Sequence, residues 1–270
     1  MNTRQTGLEV SRLSSGYRRR RILEDITLPE LYAGEVHSLV GPNAAGKSTL
    51  MRALAGLQPA SGSIRLQGRE LMGRSLSERT RLVTYMPQSL PQGVALSVLE
   101  SVVSALRASP LHTTANTRST LEERAFEVLA RVGVAELALE SLHHLSGGQR
   151  QLVSLAQVLA REPRVLLLDE PISALDLQHQ LRVMQLVHRL ARERHMIVLM
   201  VLHDLGVAAR WSDGIVMLSH GRVAAIGTPA EAITPVTLAQ VYGVRARVEH
   251  PPHDSLQIRV DDVLTPGDPC

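Results

Sequence analysis

Residues 41–49 read Gly-Pro-Asn-Ala-Ala-Gly-Lys-Ser-Thr, and this segment constrains the fold more than any other. A short apolar run, 36–40, precedes it, and a good helix-forming segment, 49–55, follows it. In this order, a strand, a glycine-containing loop and a helix bring backbone N–H groups and the positive end of the helix dipole around a phosphate. The sequence therefore predicts a phosphate-binding loop, in which Lys47 reaches the β- and γ-phosphates and Ser48 ligates Mg²⁺. The predicted nucleotide-binding residues of this loop are Gly41, Pro42, Asn43, Ala44, Ala45, Gly46, Lys47, Ser48 and Thr49.

Two carboxylates follow the four apolar residues 165–168, which are typical of a strand buried on both faces of a parallel sheet. Side chains at the carboxyl end of such a strand lie where open α/β sheets bind ligands. We expect Asp169 to hold Mg²⁺, directly or through water, and Glu170 to polarise the attacking water as general base. An acidic loop after a core strand is the ordinary alternative for an Asp-Glu pair. It does not account for the phosphate-binding loop upstream.

The segment 145–149, Leu-Ser-Gly-Gly-Gln, stands before a helical pattern. Apolar residues at 152, 155, 156 and 159 follow helical spacing, so Ser146 is predicted to be the N-cap of a helix. A serine followed by two glycines ordinarily marks only a helix start. This segment, however, lies about twenty residues before the Asp-Glu strand end, and that order in the chain argues against a plain helix start.

With these three segments in this order, the chain resembles the nucleotide-binding subunits of ATP-binding cassette (ABC) transporters over essentially its whole length. In that family, the Leu-Ser-Gly-Gly-Gln segment of one subunit covers the γ-phosphate bound by the other. The resemblance therefore implies that ATP is hydrolysed with Mg²⁺ in a two-fold homodimer that has two composite sites. It implies that Ser146, Gly147 and Gly148 act in trans, and Gln149 belongs to the same nucleotide-binding set.

Four further residues match family positions one at a time. Tyr17 stands where the family has an aromatic that stacks on adenine, although it could be an ordinary strand residue. Gln88 resembles the glutamine that senses Mg²⁺ and the attacking water, and that couples to the membrane subunit. Asp176 lies in the loop that contacts the opposite subunit, where a plain helix start is the alternative. His203 resembles the histidine that contacts the γ-phosphate, although a histidine at a strand end is more often structural.

The chain departs from the commonest family pattern at two positions. Ala44 stands where glycine is frequent in the loop, and Ile172 stands where threonine is frequent after Glu-Pro. Neither departure removes a chemical group on which the mechanism depends. If position 44 requires a positive φ, alanine costs about 1 kcal/mol or more there. We therefore expect activity.

Composition favours a soluble intracellular protein that reaches a membrane only through partners. A chain of 270 residues with 44% hydrophobic content can fill the core of one large domain. No apolar run approaches the roughly 18 residues that span a bilayer, and the N-terminus lacks the hydrophobic block of a signal peptide. The single cysteine, Cys270, excludes an intramolecular disulfide or a cysteine metal cluster.

The basic run 18–21 raises the alternative of nucleic-acid or acidic-membrane binding, given a net charge of +3. It lies between two short alternating segments, 8–13 and 22–28, so we interpret it as a solvated hairpin turn. The chain has only four tyrosines, one tryptophan and one phenylalanine, too few for a base-stacking platform. We therefore expect no nucleic-acid partner.

The fold class predicted from the order of patterns is α/β: a P-loop NTPase doubly wound core with a small antiparallel β subdomain and an inserted helical subdomain. The antiparallel β segments are expected at 7–30 and 62–68, and a polar loop at 112–120 is expected between helices of the insert. The predicted ABC ATPase domain covers 5–245, with its core at about 7–88 and 161–245 and its helical subdomain at about 89–160. A C-terminal extension, 246–270, contains four prolines and is expected to be loosely ordered.

The cargo is inferred from resemblance alone. Segments 175–181, 203–210, 227–229 and 241–244 look like those of the importers of ferric siderophores, haem and cobalamin, and the fit is best to ferric siderophores. Such an importer implies two permease subunits, an extracytoplasmic binding protein and a peripheral position on the cytoplasmic face of the inner membrane. Haem or cobalamin import remains an alternative, as does the ATPase half of an exporter. A non-transport ABC switch protein is a less favoured alternative. Such a protein usually has two cassettes or long coiled coils, and this chain has one cassette and no heptad run.

Overall fold

The computed structural model describes residues 7–17, 20–88, 96–108, 120–251 and 256–264. Its strands are β1 (Leu8–Tyr17), β2 (Arg20–Leu31), β3 (Val36–Val40), β4 (Ala60–Leu66), β5 (Arg69–Glu70), β6 (Val83–Met86), β7 (Val165–Asp169), β8 (Ile197–Val201), β9 (Gly214–Ser219), β10 (Arg222–Gly227), β11 (Val244–Glu249) and β12 (Gln257–Val263). Its α-helices are α1 (Lys47–Ala55), α2 (Leu76–Thr80), α3 (Val98–Arg107), α4 (Leu121–Val132), α5 (Gly147–Ala160), α6 (Leu177–Glu193), α7 (Leu205–Trp211), α8 (Pro229–Ala232) and α9 (Pro235–Tyr242).

A six-stranded sheet forms the centre of the fold, with strand order β10-β9-β3-β8-β7-β6. The neighbours from β9 to β6 are parallel, and β10 is antiparallel to β9. All residues of β3, β7 and β8 are buried, as expected for continuous apolar runs covered on both faces. The predicted doubly wound α/β core is therefore confirmed. The carboxyl ends of the parallel strands meet at one edge of the sheet.

Alternate side chains of the central strands enter two different hydrophobic clusters. On one face, Leu166 and Leu168 of β7 pack with residues of α3, α4, α5 and α6. On the other face, Val165 and Leu167 pack with α1 and the strands of the second sheet. Because successive side chains of a strand point to opposite faces, one short strand is anchored on both sides. This packing determines where Asp169, at the end of β7, lies.

An antiparallel sheet with strand order β2-β1-β4-β5 covers the face of the core that carries α1. It agrees with the two β segments predicted from the sequence, and it adds the two-residue strand β5. The β1–β2 hairpin pairs Tyr17 with Arg20, and Arg20 and Arg21 of the basic run begin β2. Residues 18 and 19 of that run lie outside the described residues.

The helices α3, α4 and α5 follow β6 and precede β7 in the chain, where the helical insert is predicted. They pack against one another. Each begins with a capping box, formed by Ser97 with Glu100, Thr120 with Glu123, and Ser146 with Gln149. Residues 112–119 of the predicted polar loop lie outside the described residues, and Thr120 caps α4. Within the described ranges, no helix is both long enough and apolar enough to span a bilayer.

The C-terminal extension contains an antiparallel pair, β11 and β12. The expected loose order of 246–270 is thus wrong for 246–249 and 257–263, which lie in strands. The guanidinium of Arg247 binds both carboxylate oxygens of Asp261, at 2.8 and 2.7 Å, and joins the two strands. The prolines that suggested disorder at 252, 266 and 269 fall outside the described residues, and Pro251 lies before the strand.

Candidate functional site

The predicted phosphate-binding loop connects β3 to α1. Its backbone has a positive φ at three positions, 142° at Gly41, 63° at Ala44 and 103° at Gly46. A Cβ at Gly41 would lie 2.2 Å from the carbonyl oxygen of Leu218 in β9, so glycine is required there. The first N–H groups of α1 have no carbonyl partner within the helix, and by helix geometry they face the loop that precedes them. The loop therefore has the backbone arrangement that binds an anion.

The side chains of the loop differ in exposure. Ala45 and Thr49 are buried, and they attach the loop to the core beside α1. Pro42 and Ser48 are half-buried, and Asn43 and Ala44 are exposed.

Lys47 lies folded over the loop. Its Nζ donates hydrogen bonds to the carbonyl oxygens of Gly41 and Pro42, at 2.6 and 2.9 Å. Burial lowers the pKa of Lys47, and the negative charges of Glu170 and Asp169 oppose this effect. The ammonium group is therefore within electrostatic reach of both carboxylates that the sequence singled out.

Ala44 adopts a left-handed backbone conformation, so the penalty considered from the sequence applies. Ala44→Gly should relieve about 1 kcal/mol of strain. Glycine also gives the unfolded chain more freedom, which offsets part of this gain. We expect the thermal unfolding midpoint to rise by about 2 °C, measured by calorimetry. Ala45→Gly is the matched control and should lower the midpoint, because Ala45 is buried without a positive φ; a lower midpoint for Ala44→Gly would contradict the expected relief of strain.

Asp169 has the surroundings of a magnesium ligand. It is 2% exposed, and its Oδ2 accepts a hydrogen bond of 2.9 Å from the hydroxyl of Tyr85. Its Oδ1 is buried and, among the described residues, has no hydrogen-bond partner. This oxygen and the hydroxyl of Ser48 are hard donors of the kind that Mg²⁺ prefers, so the predicted ligand set fits the ion.

The described residues contain no group of three His, Cys, Asp or Glu side chains that could hold a metal ion. A magnesium ion at Asp169 would therefore take most of its ligands from phosphate and water, as is usual for Mg²⁺ in nucleotide sites.

Burial, and secondarily the charge of Asp169, raises the pKa of Tyr85 to about 12. The phenol is therefore a protonated donor at neutral pH.

Glu170 accepts hydrogen bonds from two side chains that come from neighbouring strands. Nε2 of Gln88 lies 2.8 Å from its Oε2, and Nε2 of His203 lies 2.5 Å from its Oε1. Gln88 follows β6, Glu170 follows β7 and His203 follows β8, and these strands are adjacent and parallel. The structure therefore brings together the three residues predicted to be catalytic. Their roles remain predictions, and the geometry holds both carboxylate oxygens of Glu170 in place.

Gln151 is a residue of this site that sequence reasoning missed. Its side chain is buried within α5, donates to the backbone carbonyl of Glu170 and accepts from the N–H of Ala174 at 3.0 Å. These contacts hold a turn in which Glu170 has a φ of 54°, an uncommon conformation for a residue with a side chain. The signal that could have identified Gln151 from the sequence is a polar side chain on the buried face of an apolar helix.

The Leu-Ser-Gly-Gly-Gln segment starts α5 as predicted. Ser146 caps the helix through the N–H of Gln149 at 3.2 Å, and Oε1 of Gln149 accepts from the N–H of Ser146 at 2.8 Å. Ser146 and Gly147 are exposed, and Gly148 packs beside Ala174. Among the described residues, no hydrogen bond or ion pair joins this segment to the phosphate-binding loop of the same chain.

Asp176 caps α6 by accepting from the N–H of His179 at 2.8 Å. That hydrogen bond lowers the pKa of Asp176. For the contacts that Asp176 makes within the chain, the alternative raised from the sequence, a plain helix start, is thus correct. Its side chain is 67% exposed and remains accessible to a second subunit.

Two tyrosines border the phosphate-binding loop. Tyr17, at the end of β1, is 44% exposed, and its hydroxyl accepts a hydrogen bond of 3.2 Å from Arg52 of α1. An exposed aromatic ring beside α1 is available to stack on a base. Tyr242, at the end of α9, interacts with the backbone of Gly41, and burial raises the pKa of Tyr242 to about 12. Sequence analysis did not identify Tyr242 or Arg52, because their partners are distant along the chain.

Comparison with known proteins shows relatives along most of the chain. The hemin import ATP-binding protein HmuV of Pseudomonas entomophila is 42% identical over 252 residues, which cover 91% of this chain and 94% of that protein. The cobalamin import ATP-binding protein BtuD of Halobacterium salinarum is 35% identical over 244 residues, or 90% of this chain and 59% of that protein.

Solved structures show the same architecture. A structure described as an inward-facing conformation of a transporter assigned to the metal-chelate type has a TM-score of 0.76 and 25% identity, covering 96% of this chain and 98% of that one. A dimeric post-hydrolysis state of an ATP-binding cassette with ADP and phosphate has a TM-score of 0.72 and 26% identity, covering 82% and 98%.

The ABC transporter family matches residues 23–173, which is more than half of the chain. This span contains the phosphate-binding loop, Gln88, the start of α5 and both carboxylates at the end of β7. The chain therefore belongs to the ABC transporter family, and it is an ABC-type ATPase.

Proposed function

We propose that this ATPase is the ATP-hydrolysing subunit of an importer of iron chelates and works as a homodimer. The observation that carries the catalytic assignment is the carboxylate of Glu170, held by Gln88 and His203. In this mechanism, Glu170 accepts a proton from the water that attacks the γ-phosphate, His203 contacts that phosphate, and Gln88 orients the water. Lys47 leaves the loop carbonyls and binds the β- and γ-phosphate oxygens.

Ser48 and Asp169 would hold Mg²⁺, and Gln88 would sense it. When bound, the ion offsets the negative charge on the phosphate oxygens. Tyr17 would stack on adenine, and the loop from Gly41 to Thr49 would surround the phosphates with N–H groups. Each of these residues borders the carboxyl edge of the central sheet or α1, which supports one continuous nucleotide site.

The need for a second subunit is supported by the start of α5. Ser146 and Gly147 are exposed and have no hydrogen bond to their own phosphate-binding loop within the described residues. The exposed N-terminus of a helix attracts anions, and in a two-fold dimer it can face the γ-phosphate held by the other copy. Asp176, exposed at the start of α6, would contact the opposite subunit in the same arrangement.

The importer would add two permease subunits and an extracytoplasmic binding protein, with this chain peripheral on the cytoplasmic face of the inner membrane. Within its described residues, the helical insert exposes the large apolar side chains of Phe126, at 50%, and Leu139, at 88%. Exposed apolar side chains of this kind mark protein contacts, which supports a permease contact through the insert. The proposed function involves no nucleic-acid partner.

Two iron chelates are the leading cargoes. Ferric siderophore is the cargo favoured by the segments around α6, α7 and α9. Haem is favoured by the relative from Pseudomonas entomophila, which is named for hemin import. Cobalamin is a further candidate, because the relative from Halobacterium salinarum is named for cobalamin import.

Uptake by iron-starved source cells that lack this protein tests the proposal. We expect cells with the wild-type chain to accumulate one radiolabelled cargo among ferric siderophores, haem and cobalamin, and cells with Glu170→Gln to take up none above the deletion background. Equal abundance of both proteins must be shown by immunoblot. If no cargo depends on the protein, the import assignment fails, and an exporter or a non-transport switch becomes the better explanation.

A further inference from the structure

Tyr85 connects Asp169 to the helix of the phosphate-binding loop. Its strand, β6, pairs with β7, which ends at Asp169. The half-buried ring packs against the hydrophobic cluster that includes α1, and the hydroxyl lies 2.9 Å from Oδ2 of Asp169. The guanidinium of Arg52, from α1, also interacts with this hydroxyl. Three elements are thereby joined at one phenol oxygen.

The chemistry of the three groups sets the direction of these hydrogen bonds. A guanidinium carries only donors, so Arg52 faces the phenol oxygen of Tyr85 as a donor. A phenol has a single hydrogen, and with Arg52 as a donor that hydrogen goes to Asp169. Arg52 also donates to the hydroxyl of Tyr17 at 3.2 Å, which limits its own rotation. The carboxylate of Asp169 cannot turn without breaking its bond to Tyr85.

The two oxygens of Asp169 consequently have different surroundings. Oδ2 is held by Tyr85, whereas Oδ1 is buried and has no hydrogen-bond partner in the described part of the chain. Groups that orient a metal ligand commonly change metal affinity by 10- to 100-fold when they are removed. We propose that Tyr85, directed by Arg52, is a positioning residue that presents Oδ1 of Asp169 to Mg²⁺. The inference rests on the proposed function, in which Asp169 holds the ion.

The test compares the affinity for a non-hydrolysable ATP analogue in chelator and in saturating Mg²⁺. The ratio of the two dissociation constants measures how much the metal strengthens binding. Tyr85→Phe keeps the ring and removes only the hydroxyl, so we expect this ratio to fall about tenfold toward 1. The affinity in chelator should stay within about twofold of wild type, because the phosphate-binding loop is unchanged.

Thr84→Val is the matched control on the same strand. The hydroxyl of Thr84 is buried without a hydrogen-bond partner among the described residues, so its removal should leave the ratio unchanged. Arg52→Met should lower the ratio less than Tyr85→Phe, because the phenol can then rotate its hydrogen away from Asp169. A wild-type ratio in Arg52→Met would overturn the directing role of Arg52.

The outcomes separate this inference from the function on which it rests. If wild type itself has a ratio near 1, the assignment of Asp169 to Mg²⁺ fails, and the role of Tyr85 fails with it. If wild type depends on Mg²⁺ and Tyr85→Phe matches it, only the positioning role is overturned. An equal loss of affinity with and without Mg²⁺ would show a purely structural role and would also overturn it.

Discussion

Glu170→Gln should lower the rate of ATP hydrolysis by about 10²- to 10⁴-fold while ATP binding persists. The amide has nearly the shape of the carboxylate and can still contact Gln88 and His203. It cannot accept a proton from the attacking water. Because bound ATP then persists, the two subunits should remain associated. Phosphate release measures the rate, and gel filtration with ATP measures the dimer.

The matched control is Glu162→Gln, which makes the same change at a carboxylate outside the site. Glu162 lies 4.0 Å from Arg124 and 3.7 Å from Arg194, and its side chain is 32% exposed. The Glu162→Gln protein should keep the wild-type turnover rate. A Glu170→Gln protein that hydrolyses ATP at the wild-type rate would exclude Glu170 as the general base.

Gly147→Asp should abolish turnover and leave ATP binding by the isolated subunit intact. Gly147 is exposed, has no positive φ and leaves room for a side chain, since the nearest atom to its Cβ would be 3.9 Å away. An acidic residue in the first turn also suits the dipole of α5, so the subunit should fold. In the dimer, the new charge would face the γ-phosphate of the partner and repel it. Gly147→Ala adds a methyl group without charge and is the control.

Mixing two inactive proteins tests action in trans directly. Lys47→Ala removes the lysine proposed to bind phosphate, and Gly147→Asp would block the segment proposed to cover the other nucleotide. A hybrid dimer of the two has one site with both changes and one site with neither. Equal mixing should make about half of the dimers hybrid, so about a quarter of the wild-type activity should return if the sites act independently. Loss of ATP binding by isolated Gly147→Asp subunits would contradict this arrangement.

Contiguous patterns made the centre of the site predictable. The loop from Gly41 to Thr49 and the strand end at Asp169 and Glu170 are short segments whose neighbours in sequence are their neighbours in space. Side-chain contacts between distant segments were not predictable in this way. Tyr85 and Asp169 are 84 positions apart and meet only because β6 lies beside β7.

The C-terminal strand illustrates a different limit. Four prolines in 246–270 suggested loose order, and proline composition outweighed the weak alternation of Ile258 and Val260. The pairing of β11 with β12, including the bidentate contact between Arg247 and Asp261, is long-range information that composition does not contain. The left-handed backbone of Glu170 is similar, because Gln151 of another element supports it.

In the proposed dimer, Gln151 would link the nucleotide state of one subunit to the catalytic turn of the other. The helix α5 begins with Ser146, which would touch the nucleotide held by the partner, and Gln151 of the same helix grips the turn that carries Glu170. If the γ-phosphate bound by the partner leaves, the start of α5 would lose a contact, and α5 would then shift Glu170, the proposed general base for the subunit's own nucleotide. Hydrolysis at the two sites would then occur in sequence.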